Sequence, residues 1–174
     1  MNETLNTLKT RRSVRGFDPK RMPSEELINE VVMAGEYAPT GKGMQSPRII
    51  VVTNKEIRDR LSKLNAEVMG TSSDPFYGAP VIIIVLADKT RPTYMYDGSL
   101  VMGNLMNAAH AVGLGSCWIH RAKEVFHSAE GKALLKGWGI DGDYEGIGHV
   151  ALGYPLTEPA PAKPRKEDYA VWVK

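Results

Sequence analysis

Ala108-Ala109-His110-Ala111-Val112-Gly113-Leu114-Gly115-Ser116-Cys117-Trp118-Ile119 carries a change of structural period within a few residues. Upstream, from about Asp97, a helix would place Leu100, Asn104, Leu105, Ala108 and Val112 on one face. Gly113 and Gly115 stop it, because glycine takes the left-handed conformations that close helices at little cost. Ser116 to Ile119 then reads as a short strand. The small residues on both sides of the stop permit close packing of helix on strand.

The rest of the chain extends the same alternation. Val81 to Leu86 is an unbroken apolar run, the signature of a strand buried on both faces. Arg48 to Thr53 and Gly148 to Leu152 read as further strands. Asn2, Ser24 and Asn54 suit helix N-caps, each being a side chain that can accept from the free amides of a first turn. The helix from Asn2 runs to Lys9, and the one after Ser24 ends before Pro39. The helix after Asn54 carries Ile57, Leu61, Leu64 and Val68 on one face, and a last helix surrounds Ala129 to Lys136. Pro39-Thr40-Gly41-Lys42-Gly43-Met44-Gln45-Ser46-Pro47 and the stretch ending in Phe76-Tyr77-Gly78-Ala79-Pro80 are loops. From Tyr154 the chain becomes proline-rich, as befits a tail lying on a surface. No repeat or linker interrupts residues 1–174, so one α and β domain of about four or five strands is expected. Alternation of helix and strand by itself suggests a parallel, doubly wound sheet, and periodicity does not set strand order.

With 174 residues, 43% of them hydrophobic and 24% charged, the chain is long enough for one well-filled core. The 22 basic residues against 20 acidic ones give +2, which argues against nucleic acid or an anionic membrane as a partner. The longest apolar run, Val81 to Ala87, falls far short of the roughly 20 residues that cross a bilayer, and Met1-Asn2-Glu3 lacks a signal-peptide pattern; a cytoplasmic protein is expected. Cys117 is the only cysteine, so disulfides and cysteine-based zinc clusters are ruled out and redox chemistry would need a cofactor.

Arg11-Arg12-Ser13-Val14-Arg15-Gly16-Phe17 is the most distinctive polar segment. In an extended chain Arg11, Ser13 and Arg15 face one side, where planar guanidiniums and a hydroxyl can grip a phosphate. A solvated basic face is the competing reading. Lys163-Pro164-Arg165-Lys166 adds a second cationic cluster, which either converges on the same anion or stays apart in water. A phosphate-binding loop is excluded at Thr40 to Gly43, since Gly43 follows Lys42 where a hydroxyl residue is required. Gly113-Leu114-Gly115 follows a helix and lacks the third glycine of a dinucleotide fingerprint. The four histidines show no metal-ligand spacing, so no metal is expected. Cys117, in an apolar setting, reads as an inert buried thiol. Trp118 and the Phe76-Tyr77 pair either wall a flat ligand or belong to the core.

Taken in order, R-x-S-x-R, P-T-G-K-G-M-Q-S-P before a strand, A-A-H-A-V-G-L-G-S-C-W-I, G-H-V-A-L-G-Y-P and a terminal K-P-R resemble the FMN-dependent nitroreductase family across nearly the whole chain. The resemblance implies an α+β fold with helices on both sides of a mostly antiparallel sheet. It also implies an intertwined homodimer in which residues 154–174 form an arm on the partner, with Tyr169, Val171 and Val173 alternating as a swapped strand. For FMN it implies a phosphate site at Arg11, Arg12, Ser13 and Arg15, completed by Lys163 and Arg165. Pro39, Thr40 and Gln45 would reach the flavin of the other protomer, although the Gln45-Ser46-Pro47 here departs from the family's common Gln-Pro-Trp. Asn65 would address the pyrimidine edge, and Trp118, Ile119 and His120 would pass near N5. Apart from the resemblance, the residues themselves make Lys42, Phe76 and Tyr77 candidates to face the substrate.

By the same resemblance, NADH or NADPH reduces the flavin and departs, and a nitroaromatic, quinone or similar flat acceptor then takes the electrons in a ping-pong cycle. A reductive dehalogenation or flavin destruction on the same scaffold, or a flavin-binding storage protein without turnover, is the alternative.

Overall fold

Val81 to Asp88 forms the strand about which the molecule is organised, and all but its last residue are buried. The computed structural model describes residues 2–174. The elements are α1 (Glu3–Thr10), α2 (Glu25–Glu36), β1 (Pro47–Val52), α3 (Lys55–Met69), β2 (Val81–Asp88), α4 (Tyr94–Ala111), β3 (Gly115–Ile119), α5 (Ala122–His127), α6 (Ala129–Gly137) and β4 (Tyr144–Gly153). The strands form one sheet in the order β1-β2-β4-β3, with every pairing antiparallel.

Successive side chains of a strand point to opposite faces, so the apolar run of β2 serves two cores. On one face Ile82, Ile84 and Leu86 pack with Leu61 and Leu64 of α3, Val125 and Phe126 of α5, and Phe17. On the other, Val81, Ile83 and Val85 pack with Ile28 and Val31 of α2 and Met102 and Leu105 of α4. The result is a three-layer α-β-α arrangement. The parallel sheet suggested by alternation does not form. Burial on both faces makes a strand apolar whichever way its neighbours run, so composition carries no information on direction. The antiparallel sheet implied by the family resemblance is the one observed.

The expected N-caps are in place: Asn2 accepts from Thr4 N, Ser24 from Leu27 N and Asn54 from Ile57 N. Two boundaries and one element differ from expectation. α4 begins at Tyr94 and β4 at Tyr144, and α5 occupies a stretch with no expected element. The loop after Pro39 also contains a single 3₁₀ turn at Gly41–Gly43, with Lys42 left-handed at φ 54°. The tail leaves the sheet beside the basic segment, where Leu156 N donates to Gly16 O at 3.0 Å and Phe17 bridges Pro155. Beyond Leu156 it forms neither helix nor strand, and no helix among the described residues is long and apolar enough to cross a membrane.

Candidate functional site

The basic segment is an extended strip laid against the edge of the sheet. Val14 N donates to Ser116 O at 3.0 Å, making Ser13 and Ser116 an isolated parallel bridge. Gly115 allows the approach, since a Cβ there would come within 2.9 Å of Val14. Val14 and Phe17 point into the core, so alternation turns Ser13 and Arg15 away from it.

The arginines do different work. Arg12 is spent locally, its Nη1 donating to Lys9 O at 2.8 Å and Arg11 O at 2.6 Å. Arg15 is exposed. Arg11 buries its Nη1 with no hydrogen-bond partner, and the Nε of Arg12 is in the same condition. A buried donor of a cation without an acceptor costs free energy, and an anion docking there would supply the acceptor.

The surroundings are electropositive. Burial lowers the pKa of His110, and Arg11 and Arg12 lower it further. Thr10 Oγ1 lies 2.8 Å from His110 Nε2. Cys117 sits behind the strip: burial pushes its thiol up, against the opposing pull of Arg15, Ser13 and Arg11. A buried thiol held protonated is a poor nucleophile, in agreement with the expectation from sequence.

A cleft of about 580 Å³ opens at the end of β3, lined by Met95, Trp118, His120, Arg121, Lys123 and Ile147 among others. Trp118 buries its indole Nε1 without a partner, and its ring lies 6.1 Å from that of His120. Glu145, itself buried, pairs with Lys123 at 2.6 Å, and its other oxygen lies 3.3 Å from His127 Nε2.

Two of the expected site residues are buried. Asn65 has no exposed surface, and its amide serves the chain: Nδ2 donates to His120 O at 2.8 Å and Oδ1 accepts from Arg121 Nε at 2.9 Å. Phe76 is likewise fully buried, 5.3 Å from the ring of His149, and faces no substrate. The side chain exposed from that turn is Tyr77, left-handed at φ 55°. Asp74 shapes the turn by accepting from Phe76 N at 3.0 Å and Gly78 N at 2.8 Å. Burial would raise the Asp74 pKa, but Arg58, Ser62 and these amides together hold it below the usual carboxylate range.

Pro39, Lys42 and Gln45 are exposed on the loop before β1, and Gln45 is left-handed at φ 49°. Thr40 turns inward and accepts from Gln45 N at 3.0 Å. The residue that sets this loop carries no distinguishing mark in the sequence. Asp97, 2% exposed, accepts from Gly41 N at 2.9 Å, Ser46 Oγ at 2.7 Å and Thr93 Oγ1 at 3.1 Å. An acidic residue in the first turn of a helix looks like an ordinary dipole partner, and only its contacts reveal the clamp. Lys163 and Arg165 are exposed in the tail and make no ion pair among the described residues. Within one chain, Arg11, Ser13 and Arg15 lie together beside β3, while the second basic cluster does not join them by any such bond.

The model of the Nitroreductase family matches residues 8–75 and 68–154. A protein of Archaeoglobus fulgidus, provisionally named an NADH dehydrogenase/NAD(P)H nitroreductase, is 30% identical over 164 residues, which cover 91% of this chain and 88% of that one. A protein of Methanothermobacter thermautotrophicus with the same provisional name is 31% identical over 125 residues, covering 67% of this chain and 60% of its own length. The crystal structure of a nitroreductase with bound FMN from Bacteroides fragilis superposes with a TM-score of 0.88 at 29% identity, covering 100% of each chain.

Proposed function

Because the chain belongs to the nitroreductase family, we propose that it binds FMN and carries reducing equivalents from NADH or NADPH to a small flat acceptor, such as a nitroaromatic or a quinone, as a homodimer. The observation that carries this reading is the buried Arg11 Nη1, which lacks a partner on a strip that also offers Ser13 and Arg15. That donor set suits a phosphate monoester: two guanidiniums for the charge and a hydroxyl for a neutral hydrogen bond. FMN, when bound, supplies a ring that accepts a hydride and gives electrons up again.

The protein's part is binding and orientation. Arg11, Ser13 and Arg15 hold the phosphate, and Arg12 braces the strip by tying its own backbone. Asn65 fixes the carbonyl of His120 at the end of β3, which orients the peptide groups where the ring would lie. Trp118 offers an apolar wall on the same side. No nucleophile is required.

The homodimer is supported by the tail. Tyr169, Val171, Trp172 and Val173 are 80%, 84%, 83% and 94% exposed, an apolar segment that a lone chain leaves in water. Resting on a second copy, it would bury that surface and bring Lys163 and Arg165 within reach of a phosphate site.

Purified protein should be yellow and release FMN on denaturation. Arg11→Ala combined with Arg15→Ala should lose the flavin while keeping the far-ultraviolet circular dichroism; unchanged FMN content overturns the phosphate assignment. Anaerobic mixing with NADH and with NADPH should bleach the visible absorbance, and failure with both marks a storage protein instead.

A further inference from the structure

Arg121 stands at φ 75°, a left-handed conformation that suits glycine and is costly for a long side chain. It is held there from two directions. Its carbonyl accepts from Val125 N at 3.0 Å, starting α5. Its Nε donates to the buried Asn65 Oδ1 at 2.9 Å, while Asn65 Nδ2 ties down the preceding carbonyl of His120 at 2.8 Å. Asn65 thus fixes both the backbone and the guanidinium plane, leaving the Nη groups of an ordered fork at a residue that lines the cleft.

The charges around that fork do not cancel it. Lys123 is paired with Glu145, whose second oxygen faces His127. Glu124 is exposed on α5 at the lip of the cleft. Among the described residues Arg121 makes no ion pair. A pre-oriented guanidinium at the edge of an apolar, tryptophan-walled cleft matches the two lobes of a carboxylate carried by a flat molecule.

We propose that Arg121 makes this cleft selective for flat acceptors bearing a carboxylate or similar anionic substituent, with Asn65 as the positioning residue that aims it. This rests on reading the cleft as the acceptor side of a bound flavin.

The test compares 4-nitrobenzoate with 4-nitrobenzamide, acceptors alike in shape and differing in charge, on the FMN-loaded protein. The wild type should show kcat/KM for the benzoate about tenfold or more above that for the amide, the scale of one charge-assisted contact. Arg121→Gln should bring that ratio close to one, mainly through KM for the benzoate. Arg121→Gly, whose backbone suits the left-handed turn, should do the same. Asn65→Ala should reduce the ratio partway, with unchanged far-ultraviolet circular dichroism showing that the fold survives. A wild-type ratio near one, or a ratio unmoved in both Arg121 variants, overturns the proposal while turnover itself leaves the oxidoreductase reading standing. If Arg121→Gln instead slows only reduction by NADH or NADPH, the anion recognised belongs to the dinucleotide and the acceptor assignment falls. Absence of turnover with either acceptor in the wild type would sink the underlying reading, and this proposal with it.

Discussion

Ser46 donates its hydroxyl to the carboxylate of Asp97 at 2.7 Å, joining the loop before β1 to the first turn of α4. The same carboxylate takes the amide of Gly41, and a Cβ on Gly41 would come within 2.3 Å of Thr93 Oγ1. The loop carrying Thr40, Lys42 and Gln45 is therefore a pre-shaped element rather than a slack connection. This matters because Gln45 is the residue expected to reach a flavin held by the other subunit.

Asp97→Ala should cost about 3 kcal/mol, since it strands the Gly41 amide and the Ser46 hydroxyl in a buried site. Urea unfolding measures the loss. Amide exchange at Gly41 and Gln45 should accelerate more than at β2, showing that the loop loosens before the sheet does. Equal acceleration everywhere would mean that Asp97 supports the fold at large and not the loop.

His149 on β4 is fully buried between the rings of Phe76 and Phe126, and neither ring nitrogen has a hydrogen-bond partner. Burial, the dominant cause, lowers its pKa from the ordinary 6.5 to about 4, with Arg121 also lowering it and carbonyl groups at Ile119 and His120 opposing. The unfolded chain therefore takes up a proton that the native state refuses. Stability from this group is present above about pH 6.5, declines as the pH falls toward 4, and levels off below that. The span amounts to about 3 kcal/mol. Unfolding free energies of the wild type and of His149→Leu, measured from pH 7 to 4.5, should diverge with the wild type the more acid-sensitive. Parallel curves would show that the imidazole finds a partner on protonation.

Removal of residues 157–174 should leave a folded domain, because β4 ends at Gly153 and the last bond of the tail to the sheet edge is made by Leu156. We expect the truncated chain to sediment as a monomer and to retain little FMN, having lost Lys163, Arg165 and the apolar segment around Trp172. A truncated dimer that keeps its flavin would refute the exchange of arms.

Much of this protein is determined by local chemistry that a sequence exposes. Asn2, Ser24 and Asn54 start helices because their side chains satisfy the nearest free amides, an interaction confined to one turn. Val81 to Leu86 had to be covered on both faces because water would otherwise meet an apolar row on each. The family was legible through the order of its landmarks, and the alternation of Arg11, Ser13 and Arg15 on one side of an extended strip through the period of two. Tertiary structure alone decided the rest. Strand order depends on which edges meet, and because an apolar strand is the same in either sense, only the family resemblance and not composition anticipated the antiparallel direction. Phe76 and Tyr77 share one turn, yet one enters the core and the other meets solvent, because Asp74 fixes the backbone between them. Asn65 and Asp97 acquired their roles from partners some fifty residues away, His120 and Arg121 for one and Gly41 and Ser46 for the other. No periodicity or spacing encodes a hydrogen bond that only the folded chain brings within reach.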